Sequence, residues 1–127
     1  MVTPSTYWRP ELSRSKGKRH RYIGFRIVGI KEELEKGAVI RAIRDKAREV
    51  LGKEARNAGV KLVRFNGKEG AVHCFHLYKE EVIEILRGID RIGNVNVKIE
   101  TIGTSGTIKS LNKKFFKGRL GKEFAIY

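Results

Sequence analysis

Apolar side chains alternate with polar ones in four stretches of the chain, which predicts four β-strands at residues 21–30, 58–65, 71–78 and 94–102. Between them, apolar side chains recur every three to four residues, which predicts two amphipathic helices. The first begins among the acidic residues 32–35 and ends at Gly52, and the second covers 79–92. The side chains predicted to face the core from these helices are Val39, Ile40, Ile43, Ala47, Val50, Leu51, Val82, Ile83, Leu86 and Ile89.

The order βαββαβ predicts an α+β, ferredoxin-like (RRM-like) sandwich, because right-handed βαβ crossovers place both helices on the same face of the sheet. The other face then remains without those helices. Aromatic and basic residues that could stack on nucleobases there are Tyr22, Arg26, His73 and Phe75 or, in the other register, Cys74, His76 and Tyr78. They lack the RNA-recognition signature of this topology, so we expect a third helix or a partner protein to cover the face instead.

Residues 103–122 (GTSGTIKSLNKKFFKGRLGK) predict that third helix, at about 105–117, with Ser105 or Thr104 as its N-cap and Gly118 as its stop. Its apolar side comprises Ile108, Leu111, Asn112, Phe115 and Phe116, and its opposite side comprises Lys109, Lys113 and Lys117. The free N–H groups at its start would attract phosphate. The simpler alternative is an amphipathic helix with a solvated lysine face, although helices of that kind usually mix charge signs.

Positive charge is concentrated at the two ends of the chain. Of the formal net charge of +14, residues 1–26 hold seven Lys/Arg against one Glu, and residues 103–122 hold six Lys/Arg and no acid. An excess of this kind raises affinity for polyanions. We expect residues 1–20 to form a basic arm, ordered by binding or simply a solvated tail, and residues 21–127 to form a single domain that includes the third helix and the tail.

Several kinds of chemistry fit the sequence poorly. Alternation places His73 opposite Cys74 and His76, which argues against a metal site, and Gly103–Lys109 lacks the spacing of a nucleotide-binding P-loop. No pair of acids is brought together by its spacing for acid–base work, so we expect no active site in this chain. One cysteine allows no intrachain disulfide, and the sequence contains neither an apolar run of membrane-spanning length nor a secretory signal, which favours a cytoplasmic protein.

The runs RYIGFRI and IGTSGTIKSLNKKFF, with a basic arm before the first and a V-x-V-x-I strand before the second, resemble archaeal ribonuclease P protein component 2. The resemblance covers about residues 14–117 in element order. It implies a ferredoxin-like, non-catalytic protein subunit of a ribozyme that removes 5′ leaders from precursor tRNA. The catalytic RNA would carry the Mg²⁺-dependent step, and this chain would bind no cofactor.

The same resemblance implies a hetero-oligomer with ribonuclease P RNA, with ribonuclease P protein component 3 and with other protein subunits, and indirect contact with precursor tRNA. Protein pairing would use the uncovered sheet face and the apolar tail residues Phe124, Ile126 and Tyr127.

From charge and from the predicted helix start, the candidate RNA-binding residues are Arg14, Lys16, Lys18, Arg19, Arg21, Ser105, Gly106, Thr107, Lys109, Lys113, Lys114 and Lys117. They would grip the phosphates of one folded RNA and read its shape rather than its sequence. A ribosomal or ribosome-associated RNA-binding protein is the alternative that composition leaves open. A stand-alone nuclease is disfavoured by the lack of paired acids.

Overall fold

The structure of the chain is a computed structural model, which describes residues 19–120. Its elements in chain order are β1 (His20–Val28), α1 (Lys36–Leu51), a 3₁₀ turn (Gly52–Glu54), α2 (Ala55–Ala58), β2 (Lys61–Phe65), β3 (Glu69–Phe75), a second 3₁₀ turn (His76–Tyr78), α3 (Lys79–Arg87), β4 (Arg91–Ile92), β5 (Val95–Asn96), β6 (Lys98–Ser105), α4 (Ile108–Leu111) and a π-helical turn (Asn112–Phe116). No helix within 19–120 has both the length and the apolar character needed to cross a lipid bilayer.

Four strands form an antiparallel sheet in the order β2-β3-β1-β6, while β4 and β5 form a small separate hairpin. The two long strands at the centre, β1 and β3, each have a neighbour on both sides. This order and the two helical crossovers confirm the predicted ferredoxin-like fold.

The boundaries of several elements differ from the predicted ones. Helix α1 begins only at Lys36, with Glu35 at its N-cap, although its predicted stop at Gly52 (φ 57°) is confirmed. Strand β2 begins at Lys61 because residues 55–58 form the short helix α2, which ends at Gly59 in the left-handed conformation. The stretch predicted as one strand at 94–102 contains the end of the β4–β5 hairpin and most of β6.

The main core lies between the sheet and helices α1 and α3. The alternating apolar side chains of β1, Ile23, Phe25 and Ile27, are at most 3% exposed. The predicted core positions of the helices are confirmed except for Val50, which is 48% exposed because it lies beyond Ala47, the last buried position of α1. Ile40, Leu51 and Ile83 are partly buried and pack against the core, and Ile85, which the pattern did not predict, is completely buried in α3.

The second face of the sheet is partly covered by the C-terminal helix. The sequence analysis had predicted either this third helix or a partner protein there. A smaller core forms there from Ala71, Leu111, Phe116 and Leu120, all at most 5% exposed. Gly24 in β1 makes the close approach possible, because a Cβ at that position would stand 2.6 Å from the Phe116 ring. Gly103 in β6 accommodates the Phe115 ring in the same way. Small residues in the strands therefore bring the lysine-bearing helix down onto the sheet.

Candidate nucleic-acid interface

The C-terminal helix begins later and is shorter than predicted. Thr107 is its N-cap, and the Thr107 hydroxyl accepts a hydrogen bond from the Ser110 N–H at 3.1 Å. The predicted caps, Thr104 and Ser105, were wrong because both residues are still paired with β1. Only four residues are α-helical before the π-helical turn, so the dipole at this start is small. Contact of RNA with Ser105, Gly106 and Thr107 therefore stays a prediction, and the short helix that follows them adds little attraction for phosphate.

Three of the predicted RNA-binding lysines lie together on one groove. Lys109, Lys113 and Lys117 line a depression of about 700 Å³ between the C-terminal helix and β2, and all three are exposed. Ile108, Asn112 and Gly118 complete this wall. Lys114 is also exposed, but it does not line the groove. We call this depression the lysine groove.

A fourth cation of the lysine groove, Arg64, was missed by the sequence analysis. Its side chain is only 6% exposed, and its Nη1 donates to the Val63 carbonyl oxygen at 2.9 Å. Burial lowers the pKa of this guanidinium from its ordinary value. Strict alternation with Leu62 would have directed Arg64 into the main core. A β-bulge between Leu62 and Arg64 breaks the alternation, so Arg64 lines the groove.

The end of the helix places the last lysine of the groove. Lys117 adopts a left-handed conformation (φ 51°), and Gly118 follows it with φ 85°, which confirms the predicted stop. Asn112 lies on the apolar side, as predicted, and its side-chain oxygen accepts from the Leu120 N–H at 3.1 Å. The chain therefore turns back over the helix immediately after Lys117.

An ion-pair cluster fastens this returning segment to the sheet. Arg119 donates from Nε to Glu69 Oε1 at 3.0 Å and from Nη2 to Oε2 at 2.8 Å, and Arg26 donates to the same carboxylate. Hydrogen bonds from Arg119, Arg26 and Asn66 lower the pKa of Glu69 to about 2. Arg119 belongs to the basic segment 103–122, but its guanidinium forms an ion pair with Glu69 and does not line the lysine groove.

The base of the N-terminal arm lies next to the loop before the helix. Tyr22 pairs with Ser105, and Arg21 Nη1 stands 3.6 Å from the position that a Cβ on Gly106 would occupy. The Arg19 carbonyl accepts from the His76 N–H at 2.8 Å, and the Arg19 side chain is exposed. The two basic segments therefore meet at this point, although neither Arg19 nor Arg21 lines the lysine groove.

Six other predicted site residues lie outside the described range: Arg14, Lys16 and Lys18 of the arm, and Phe124, Ile126 and Tyr127 of the tail.

The uncovered end of the second face carries a cluster of rings. His73 is 8% exposed and packs against Tyr22 and Phe75 with ring centroids 5.3 and 5.2 Å away. Its Nδ1 donates to the Gly59 carbonyl at 2.8 Å, so its Nε2 accepts from His20 Nδ1 at 2.7 Å. Burial lowers the pKa of His73, which favours the neutral imidazole. Of the candidate stacking residues, His73 is therefore packed against neighbouring rings of the domain, and Arg26 is hydrogen-bonded to Glu69.

Cys74 faces the main core, away from His73, as alternation predicts. Its side chain is completely buried, and burial raises the pKa of its thiol to about 11. Within residues 19–120, no three His, Cys, Asp or Glu side chains come close enough together to hold a metal ion.

A family model described as the Rpp14/Pop5 family matches residues 21–116, three quarters of the chain. The chain belongs to this family. The matched region runs from Arg21, the second residue of β1, to Phe116, the last residue of the π-helical turn. It thus contains the lysine groove except for Lys117 and Gly118, and it excludes the arm and the tail.

Proteins with similar sequences come from several archaea. The chain is 32% identical over 99 residues to ribonuclease P protein component 2 of Archaeoglobus fulgidus, covering 78% of this chain and 90% of the relative. It is 37% identical over 101 residues to the protein of the same name from Pyrococcus horikoshii, covering 76% and 82%. These matches confirm the resemblance inferred from RYIGFRI and IGTSGTIKSLNKKFF.

A solved structure shares the fold of this Rpp14/Pop5 chain. A chain in the cryo-EM structure of yeast ribonuclease MRP superposes with a TM-score of 0.59, covering 71% of this chain and 76% of that one. Sequence identity is 8%, so this likeness concerns the fold alone.

Proposed function

We propose that this chain is a protein subunit of ribonuclease P and that it binds the RNA of that enzyme through the lysine groove. The observation that carries the proposal is the convergence of Lys109, Lys113, Lys117 and Arg64 on one groove, with no carboxylate among its lining residues. Family membership and the two archaeal relatives, both ribonuclease P protein component 2, support the choice of ribonuclease P.

The chemistry of the groove suits phosphate groups rather than bases. Lysine ammonium groups bind phosphate oxygens as point charges, and Arg64 adds a guanidinium held in place by the Val63 carbonyl. Neutralising several phosphates lowers the repulsion between RNA strands that approach each other closely. We therefore propose that the chain favours the compact, active form of the RNA and lowers its Mg²⁺ requirement, while the RNA carries out the removal of 5′ leaders from precursor tRNA.

The finer assignments belong to the same proposal. The partners would be ribonuclease P RNA, ribonuclease P protein component 3 and other subunits in a hetero-oligomer, with precursor tRNA contacted indirectly. The arm residues Arg14, Lys16 and Lys18 would extend the basic surface from Arg19 and Arg21, and the apolar tail would serve protein pairing. We also propose that the chain itself binds no cofactor and that the protein is cytoplasmic.

The decisive experiment is reconstituted cleavage of precursor tRNA with the double variant Lys109→Glu/Lys113→Glu. The matched control is Arg87→Glu/Arg91→Glu, which makes the same change in charge at exposed positions outside the groove. Losing two phosphate contacts should lower the slope of log affinity against log salt by about two and weaken RNA binding roughly 10- to 100-fold at moderate salt. Cleavage by the groove variant should then need more Mg²⁺ than cleavage by the control.

Equal losses in both variants would contradict a specific groove, and unchanged RNA affinity would contradict RNA binding there. The ribosomal alternative is tested by co-purification, because a ribosome-associated protein would carry ribosomal RNA instead of ribonuclease P RNA. Cleavage by the purified chain alone would contradict a non-catalytic role.

A further inference from the structure

A second groove lies on the opposite side of the sheet from the lysine groove. It runs between α1 and the segment that leads from Gly52 through α2 into β2, and it encloses about 860 Å³. Its floor is aliphatic, formed by Ile40, Ile43, Ala47, Val60 and Leu62. We call it the helix-side groove.

Every charged residue that lines the helix-side groove is basic. Five exposed cations line it, namely Arg44, Arg48, Lys53, Arg56 and Lys61, and no carboxylate does. None of the five forms an ion pair with another of residues 19–120. Glu54, next to Lys53 in the chain, instead accepts hydrogen bonds from the Tyr78 hydroxyl at 2.7 Å and from the Asn57 amide at 3.2 Å. The lining of the groove therefore presents a net positive charge.

The floor and the rim together indicate the chemistry of the occupant. Single-stranded RNA gains much of its binding energy from bases that stack on aromatic side chains, and none of the lining residues is aromatic. An aliphatic floor is instead complementary to Leu, Ile, Val or Met side chains, as in grooves that accept amphipathic helices. The basic rim is complementary to carboxylates beside those apolar side chains.

We propose that the helix-side groove is the docking site of an acidic, amphipathic segment of a partner protein. Apolar side chains of that segment lie on Ile40, Val60 and the neighbouring floor, and its Asp or Glu residues pair with the rim. Because α1 and the C-terminal helix lie on opposite faces of the sheet, protein and RNA bind at the same time without competing. The inference does not depend on the proposed RNA function, since a different groove carries it.

The test uses the full chain and a synthetic probe. The probe is a helical peptide of about 18 residues with leucine every three or four positions and glutamate on both flanks. Its affinity is measured by calorimetry for the unchanged chain, for Arg44→Glu/Arg48→Glu/Arg56→Glu, and for the control Arg41→Glu/Arg87→Glu/Arg91→Glu. All six positions are exposed, so both variants should fold, which circular dichroism verifies. Arg41 lies on α1 but does not line the groove, which makes the control closely matched.

We expect the groove variant to bind the peptide at least about tenfold more weakly than the control does. A second peptide, with serine in place of leucine and all glutamates kept, should also bind the unchanged chain at least about tenfold more weakly, because the floor then contributes nothing. This second probe separates docking in the groove from simple attraction between opposite charges.

Four results would overturn the proposal. The first two are that both variants bind the peptide equally well, or that the unchanged chain binds the leucine and serine peptides equally well. The third is that the groove variant loses affinity for RNA but keeps its affinity for the peptide, and the fourth is that the groove variant, without peptide or RNA, differs from the unchanged chain in oligomeric state. The third result would make the groove an RNA surface, and the fourth would make it a contact between two copies. No RNA is present in the peptide assays, so their failure leaves the lysine groove and its RNA function untouched.

Discussion

The two faces of the sheet are covered in different ways. The face under α1 and α3 has a large, mostly aliphatic core, to which both helices and all four strands of the sheet contribute. The other face has four buried residues, and a short helix covers it only because glycines in β1 and β6 leave space for two phenylalanine rings. The first face holds the domain together, whereas the second holds the lysine groove in position.

The largest effect on stability should come from removing a large buried side chain from either core. Phe25 and Phe116 are both completely buried, and replacing a buried Phe by Ala costs about 3–5 kcal/mol. For Phe25→Ala we expect this loss in the free energy of global unfolding, measured by urea denaturation. For Phe116→Ala we expect the loss to appear locally, as faster amide hydrogen exchange in residues 108–118 while α1 and β1 keep their protection.

If Phe116→Ala destabilised the whole domain as much as Phe25→Ala does, the two cores would form one cooperative unit, and the contrast between the faces would fail.

The Glu69 cluster should have the next largest effect, because it fastens the segment after the C-terminal helix to the sheet. The folded-state pKa of Glu69, about 2, lies below its ordinary value of 4.5. The stabilisation is therefore complete above pH 4.5 and is lost as the pH falls toward 2. The shift corresponds to roughly 2–3 kcal/mol once screening of the half-exposed arginines is considered. Urea denaturation between pH 2 and 6 should show this loss, and Glu69→Gln should remove this part of the pH dependence.

A flat profile for the unchanged chain, or the same profile in Glu69→Gln, would show that the carboxylate does not tie residue 119 to the sheet.

The smallest effect should come from the cap of α4. Thr107→Ala removes the acceptor for the Ser110 N–H and should cost about 1 kcal/mol in docking of the helix, which exchange of the amides at 108–111 would detect. Ser105→Ala is the control, since Ser105 belongs to β6 and should have no capping effect. Equal effects of the two substitutions would indicate that the helix starts where the sequence pattern predicted.

Local periodicity was enough to predict the four strands of the sheet, the two crossover helices, the ferredoxin-like order and the lysine-bearing side of the C-terminal helix. It did not predict the ends of these elements: the second crossover helix, predicted over 79–92, ends at Arg87, and the strand predicted over 71–78 ends at Phe75. The errors arise where a position depends on a residue far away in the chain. The cap moved to Thr107 because β6 stays paired with β1 through Ser105. Arg64 lines the groove because β2 bulges against β3, and Arg119 is neutralised by Glu69, fifty residues earlier. None of these contacts has a signature within a short window of sequence.

Lys117 illustrates a conflict between stability and affinity. A left-handed backbone is unfavourable for any residue with a Cβ, so glycine at this position would relax the chain where it turns after the helix. The same replacement would remove one of the four cations that line the lysine groove. We expect Lys117→Gly to stabilise the turn and to weaken the RNA binding that we propose for the lysine groove.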